Sequence, residues 1–263
     1  PQLDAKIIQQ TLSDYPLEVL CFESLPSTND YLKKTPTHSP MTLCCAETQT
    51  AGRGRLGREW ASPAGGNLYA SLRLRLSLSP DRLSCLSLLM GLTLLQTLEQ
   101  CAIPPGLQLK WPNDLCWNEQ KLGGILIELD HPATSLSLDL TPPQPSVTAI
   151  IGMGLNLYSC APLASRKQPA CSLQDFHPHH LDRNTLLAYL IPTLMKHLEV
   201  LKTAGWLAFQ AQWDAVDYLR GRWITHPRFS GKACGTSPQG ALYVEDTAGQ
   251  LHTLTSGDYT TPL

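Results

Sequence analysis

Thr48-Gln49-Thr50-Ala51-Gly52-Arg53-Gly54-Arg55-Leu56-Gly57-Arg58-Glu59-Trp60 places three arginines and three glycines in a few positions and closes on a tryptophan. Glycine lets the backbone take positive φ and approach a ligand closely. Arginine presents forked donors that suit phosphate or carboxylate. The stretch reads as a loop built to wrap a small anion, against the plainer alternative of a solvated basic loop. A second pair of segments, Lys110-Trp111-Pro112-Asn113-Asp114 and Lys121-Leu122-Gly123-Gly124-Ile125, favours the first reading.

Working outward, the pattern alternates between strand and helix. Leu3 to Leu12 is amphipathic, Leu17 to Phe22 is β-prone, and Ser27 with Asp30 three residues on has the capping pattern of a helix start. Met41 to Ala46 reads as a strand that delivers the chain into the loop. From Leu68 to Leu76, leucines and alanine alternate with Tyr69, Ser71, Arg73 and Arg75, the period of a half-buried strand. Leu83 to Leu98 is a helix. Leu107 to Lys110, Asp114 to Trp117, Gly124 to Leu129 and Val147 to Leu157 are strands. The span from Asp130 to Ser146, with four prolines, is a loop, and Ser159 to Pro178 is irregular. Thr185 to Leu201 and Trp206 to Val216 are helices, and β-prone segments follow. The order predicts an α+β fold, a mixed sheet backed by helices, with one domain over 1–216 and a small β-domain over 217–263.

Composition limits the partners. Of 263 residues 43% are hydrophobic and 16% charged, enough for a sizeable core. The formal charge of -2 gives no global basic field, so no nucleic-acid partner is expected. The longest uncharged helical run, between Arg82 and Glu99, is shorter than the roughly 20 residues of a membrane span. Nine cysteines without C-x-x-C spacing read as reduced thiols, and a cytoplasmic location follows. His177-Pro178-His179-His180 reads as a surface loop.

Ser27-Thr28-Asn29, Gln49, Gly52 to Arg58, Trp60, Gly66 to Tyr69, Lys110 to Asp114, Lys121 to Gly124 and Gly152 to Asn156 occur in an order and spacing that resembles the biotin protein ligases, the biotin–[acetyl-CoA-carboxylase] ligases. Lipoate protein ligases share the fold but lack the Gly-Arg-Gly-Arg loop. The resemblance implies a class II synthetase-like catalytic domain with a small C-terminal β-barrel. It implies a reaction in which biotin and ATP, with Mg2+, give biotinyl-5'-AMP, and the biotinyl group then passes to a lysine of a biotin carboxyl carrier protein. The short stretch before Ser27 leaves no room for the helix-turn-helix repressor domain of some members, which implies a monofunctional ligase.

The same resemblance implies roles. Lys121, Arg55 and Arg53 would act on the biotin carboxylate and the α-phosphate, with Arg58 on pyrophosphate. Ser27, Thr28, Asn29 and Gln49 would hold the ureido ring, and Gly54, Gly123 and Gly124 would let biotin approach the backbone. Trp60 would stack on adenine or else sit in the core. Lys110, Asn113 and Asn156 would serve ATP, and Asp114 would take the metal or else cap a turn. A non-catalytic biotin-binding module is the competing reading. The Gly66–Leu76 strand could pair across subunits in a weak homodimer.

Overall fold

Seven strands form the main sheet of the computed structural model, which describes residues 2–36, 39–130, 146–158, 169–255 and 259–260. Helix α1 (Ala5–Thr11) precedes β1 (Leu17–Leu25), α2 (Thr28–Lys34) and β2 (Met41–Gln49). Past the arginine loop come β3 (Leu68–Leu76), α3 (Pro80–Leu83), α4 (Leu86–Gln100), β4 (Gln108–Lys110), β5 (Asp114–Trp117), β6 (Gln120–Asp130) and β7 (Val147–Leu155). Helices α5 (Arg183–Ala204) and α6 (Gln210–Val216) lead to β8 (Trp223–His226), β9 (Phe229–Thr236), β10 (Leu242–Glu245) and β11 (Leu251–Leu254). The loop expected over Asp130 to Ser146 and much of the stretch from Ser159 to Pro178 lie outside the described residues.

The strand order is β1-β2-β3-β7-β6-β5-β4, parallel between β1 and β2 and antiparallel elsewhere. The mixed sheet is thus as the sequence predicts. One face carries Leu72, Ile151 and Ile127 in register and packs on α4, itself buried along Leu88, Leu89, Leu92 and Leu95 between the sheet and α5. Among the described residues the helix packed on the opposite face is α2, which lies over β2, β3 and β7. The arginine loop arrives on the uncovered remainder.

Two expectations need correction. Strand β3 is not half-buried along its length: Tyr69 and Ser71 are as buried as its leucines, because α2 and the loop cover them. Arg73 reaches back to cap α2, donating to the Leu32 and Thr35 carbonyls at 3.1 and 2.9 Å. Nor can β3 pair with a second copy, since β2 and β7 fill both its edges. The C-terminal strands form an antiparallel meander, β8-β9-β10-β11, and Thr260 bridges back to Thr225 of β8 through backbone bonds of 2.8 and 2.9 Å. That sheet is tied to the Lys110–Asp114 turn, with Trp111 Nε1 donating to Gly240 O at 3.0 Å and Tyr259 Oη to Trp111 O at 2.6 Å.

A buried ion pair locks β2 to α5. Arg183, 3% exposed, donates to both Glu47 carboxylate oxygens at 2.8 and 2.9 Å. Burial would raise the Glu47 carboxyl, but the Arg183 bonds and the Leu3 N–H outweigh it and hold it below the ordinary value. A carboxyl depressed by folding stabilises fully above its ordinary pKa of 4.5 and loses that contribution as pH falls through the lower folded value. Glu47→Gln should therefore flatten the fall in stability on acidification in that window and lower stability at pH 7, where the buried Arg183 charge loses its carboxylate. Urea melts across the acid range check both effects.

Candidate active site

One row of register partners crosses the uncovered face: Ala46, Tyr69, Gly154, Gly124, Asp114 and Lys110. Its two adjacent glycines leave a trench, and Trp60 lies in it. A Cβ on Gly154 would sit 2.5 Å from Trp60 Cε2, and one on Gly124 would sit 3.2 Å from Trp60 Cζ3. The Trp60 indole Nε1 is buried without a hydrogen-bond partner. Backbone bonds shape the loop that delivers it: Trp60 N–H to Gly52 O at 2.9 Å and Gly54 N–H to Arg58 O at 2.6 Å form a tight hairpin whose tip holds Leu56 and Gly57 at φ of 56° and 72°.

Lys121 reaches this trench through a bulge. In a regular strand Lys121 and Gly124, three apart, would face opposite sides. The β5–β6 register shifts between Leu115 and Cys116, and the extra residue turns Lys121 onto the face of Gly124. A Cβ on Gly124 would lie 3.4 Å from Lys121 Nζ. The ammonium sits 5.4 Å from the Trp60 ring centre and 2.7 Å from Asp114 Oδ1. That oxygen is buried and has no aligned hydrogen-bond donor, so the contact is an ion pair without a directed bond. Arg55 comes in beside them, its guanidinium 3.4 Å from Asn113 Oδ1. Asn113 is itself fixed to β6, its amide donating to Ile125 O at 2.8 Å.

A second cluster lies further along the same face. Gln49 Oε1 accepts from Thr28 N–H at 2.9 Å, and Gln49 Nε2 donates to Ser62 Oγ at 2.8 Å. Thr28 Oγ1 is 2.7 Å from Ser71 Oγ, which is 2.6 Å from Asn29 Oδ1. Asn29 Nδ2 donates to Glu128 Oε2 at 3.0 Å. Asn29 fits because Gly152 has no side chain; a Cβ there would collide with Asn29 Oδ1. Ser27 caps α2, its Oγ accepting from Asp30 N–H at 3.3 Å.

The structure separates the two arginines that the sequence places together. Arg53 pairs with Asp30 and, at 3.0 Å, with Glu128. Glu128 lies four residues up β6 from Gly124, about 13 Å along a strand. The Arg53 guanidinium is therefore at the Asn29 end, while Arg55 and Lys121 share the trench. Arg58 is exposed on the return limb of the loop. Lys110 lies at the far end of the row, 5.4 Å from the Tyr218 ring centre, its pKa lowered chiefly by burial. Asn156 is buried, its amide donating to Cys171 O at 3.1 Å and its backbone N–H to Leu122 O at 2.9 Å. Ser62, Ser71, Asp30 and Glu128 escape the sequence reading. Glu128 was accessible to it, being an even number of residues from Gly124 and so on the same face.

Among the described residues no three His, Cys, Asp or Glu side chains cluster as a metal cage, the His177–His180 stretch included. Cys44 is no thiolate, since burial raises its pKa to about 12.

The sequence model of the Biotin/lipoate A/B protein ligase family matches residues 21–137. The chain is similar to the bifunctional ligase/repressor BirA of Escherichia coli, 35% identical over 227 residues that cover 84% of this chain and 67% of that one. It is similar to the biotin–[acetyl-CoA-carboxylase] ligase of Paracoccus denitrificans, 34% identical over 196 residues, 72% of this chain and 76% of that one. Its fold matches a biotin protein ligase from Aquifex aeolicus in complex with biotin and ATP, with a TM-score of 0.74, 27% identity, and coverage of 93% and 98%. A lysine turned by a bulge onto a glycine trench, roofed by a tryptophan from an arginine loop, thus occurs on a chain that belongs to the biotin protein ligase family.

Proposed function

We propose that the protein is a biotin–[acetyl-CoA-carboxylase] ligase: it activates biotin with ATP and transfers the biotinyl group to one lysine of the biotin carboxyl carrier protein of a carboxylase. The observation that carries this reading is the Lys121 ammonium held over the Gly124–Gly154 trench between Asp114 and Trp60.

In the first step a biotin carboxylate oxygen forms a bond to the α-phosphorus, and the bond from that phosphorus to the bridging oxygen of pyrophosphate breaks. Two anions must meet, so the barrier is electrostatic. Lys121 and Arg55 neutralise the approach from fixed positions, which needs no reorganisation at the moment of reaction. In the second step the neutral ε-amine of the carrier lysine attacks the biotinyl carbonyl, AMP leaves, and an amide results. The attacking nucleophile belongs to the partner, which agrees with the absence of any need for a thiolate here.

Trp60 and Asn156 would hold the adenine, Lys110 and Arg58 the outer phosphates, and Asp114 the magnesium that accompanies ATP. One carboxylate suits that ion, because magnesium on a nucleotide keeps waters and phosphate oxygens as its other ligands, and the buried Oδ1 of Asp114 lacks an aligned donor. The ureido ring would lie at Thr28, Gln49 and Ser27, and the valeryl tail would run down the face past Gly54 and Gly124; Gly123 faces the core, where a Cβ would lie 2.4 Å from Leu155 Cδ2. We place a domain boundary at 216/217, supported by the separate C-terminal sheet. A cytoplasmic location is supported by eight free cysteines among the described residues, and no described helix is long and apolar enough to cross a membrane.

Purified protein incubated with biotin, ATP, magnesium and a biotin carrier domain should release pyrophosphate and add one biotinyl mass to the carrier. Bound biotin with no pyrophosphate would instead indicate a non-catalytic biotin-binding module.

A further inference from the structure

The chain of side chains from Glu128 to Thr28 has a direction, and Glu128 sets it. Burial would raise the Glu128 carboxyl, but the Asn29 amide, Arg53 and Lys33 outweigh this and keep it below its ordinary value. A carboxylate only accepts hydrogen bonds. Asn29 must therefore turn its Nδ2 to Glu128, at 3.0 Å, and its Oδ1 to Ser71, at 2.6 Å. The single proton of Ser71 then points to Asn29, and Ser71 Oγ must accept from Thr28 Oγ1, 2.7 Å away. An oxygen–oxygen approach that close without a proton between would oppose two lone pairs. Gln49 Oε1, 3.1 Å from Thr28 Oγ1, is served instead by the Thr28 backbone N–H at 2.9 Å. The Thr28 hydroxyl is left with a lone pair to offer.

We propose that Ser71, Asn29 and Glu128 form a relay of fixed polarity that makes Thr28 a hydrogen-bond acceptor for an N–H of a cyclic urea, which is the ureido ring of biotin if the function proposed above holds. Ser71 and Glu128 are positioning residues, and Arg53 is their outer clamp, bridging β6 to Asp30 of α2. The pocket thereby selects a ring that donates at this point and rejects one that accepts, because a buried acceptor facing an acceptor leaves both unpaired.

The test uses the full chain. Titration calorimetry with biotin should show Ser71→Ala weakening biotin binding by about tenfold to a hundredfold, the range for a buried hydrogen bond, while the KM for ATP in pyrophosphate release changes less than about twofold. Glu128→Gln, which lets the Asn29 amide turn over, should act in the same direction with a melting temperature near that of the parent. The two cyclic-carbamate analogues of biotin, each with oxygen in place of one ureido N–H, give the decisive readout. The parent should discriminate strongly against one of them, and Ser71→Ala should lose that discrimination. Equal discrimination in parent and variant, unchanged biotin affinity, or a parallel rise in both substrates' constants would overturn the relay. A parent chain that binds no biotin would overturn the functional reading and remove the relay's ligand with it.

Discussion

Lys121→Ala should lower pyrophosphate release from biotin and ATP by about 10²- to 10³-fold, or about 2.7–4 kcal/mol of transition-state stabilisation, the usual cost of removing one preorganised charge-stabilising donor. The effect belongs in kcat more than in KM for biotin, because the ureido cluster lies well up β6 from this ammonium. The fold should persist, since Lys121 is a partly exposed side chain whose loss opens no core cavity. Its removal also takes from Asp114 Oδ1 the ammonium 2.7 Å away, and Asp114 is the proposed magnesium residue, so part of the loss could come through a displaced carboxylate. Asp114→Asn alone gauges that part: a smaller loss than that of Lys121→Ala assigns the difference to the ammonium, whereas an equal loss would reduce Lys121 to a counter-ion of Asp114. Single-turnover measurement of adenylate, with a melting curve beside it, decides the matter, and near-normal turnover in Lys121→Ala would move the reacting centre elsewhere.

Gly154→Ala should cost about as much for a steric reason. Its new methyl would lie 2.5 Å from Trp60 Cε2 and 2.6 Å from both Cζ2 and Nε1, distances that no packed side chain tolerates. Strand β7 cannot move, being hydrogen-bonded to β3 and β6 on either side. The indole must leave, and with it the hairpin anchored by the bond from Trp60 N–H to Gly52 O. Arg55 rides on that hairpin. Overpacking of this kind costs about 1–3 kcal/mol. Here the strain should relax by displacing the loop, so it appears as a rise in KM for ATP and a fall in adenylation of about a hundredfold, with only a few degrees lost in Tm. Tryptophan fluorescence of Trp60, isolated by comparison with Trp60→Phe, should report the displaced ring. An unchanged spectrum with unchanged kinetics would show that Trp60 is not held in the trench.

Much of the fold was open to reading residue by residue. The capping serine at 27, the uncharged run that became α4, and the β-prone segments at the observed strand positions are local signals, and local signals survive folding. The α2 start rests on a side chain three residues from its partner. Tyr69 and Ser71 misled for the opposite reason. Their alternation with leucine marks a solvent face, yet that face is covered by α2 and the arginine loop, both distant in sequence or arriving from the side.

The sequence alone determined the chemistry: a lysine, an arginine loop, paired glycines and short polar residues that together suit a carboxylate, a triphosphate and a urea. It did not determine where each side chain ends. Arg53 and Arg55 are two residues apart, yet Asp30 and Glu128 draw one to the Asn29 end of the face and Asn113 holds the other beside Lys121. Ser71 looked like a surface residue until α2 brought Thr28 and Asn29 against it. Lys121 should face away from Gly124 by the period of a strand, and a single bulged residue opposite Leu115 and Cys116 reverses it. A strand's side-chain direction follows from its register, register is a relation between two strands, and so the reacting face of this protein came into being only when β5 paired with β6.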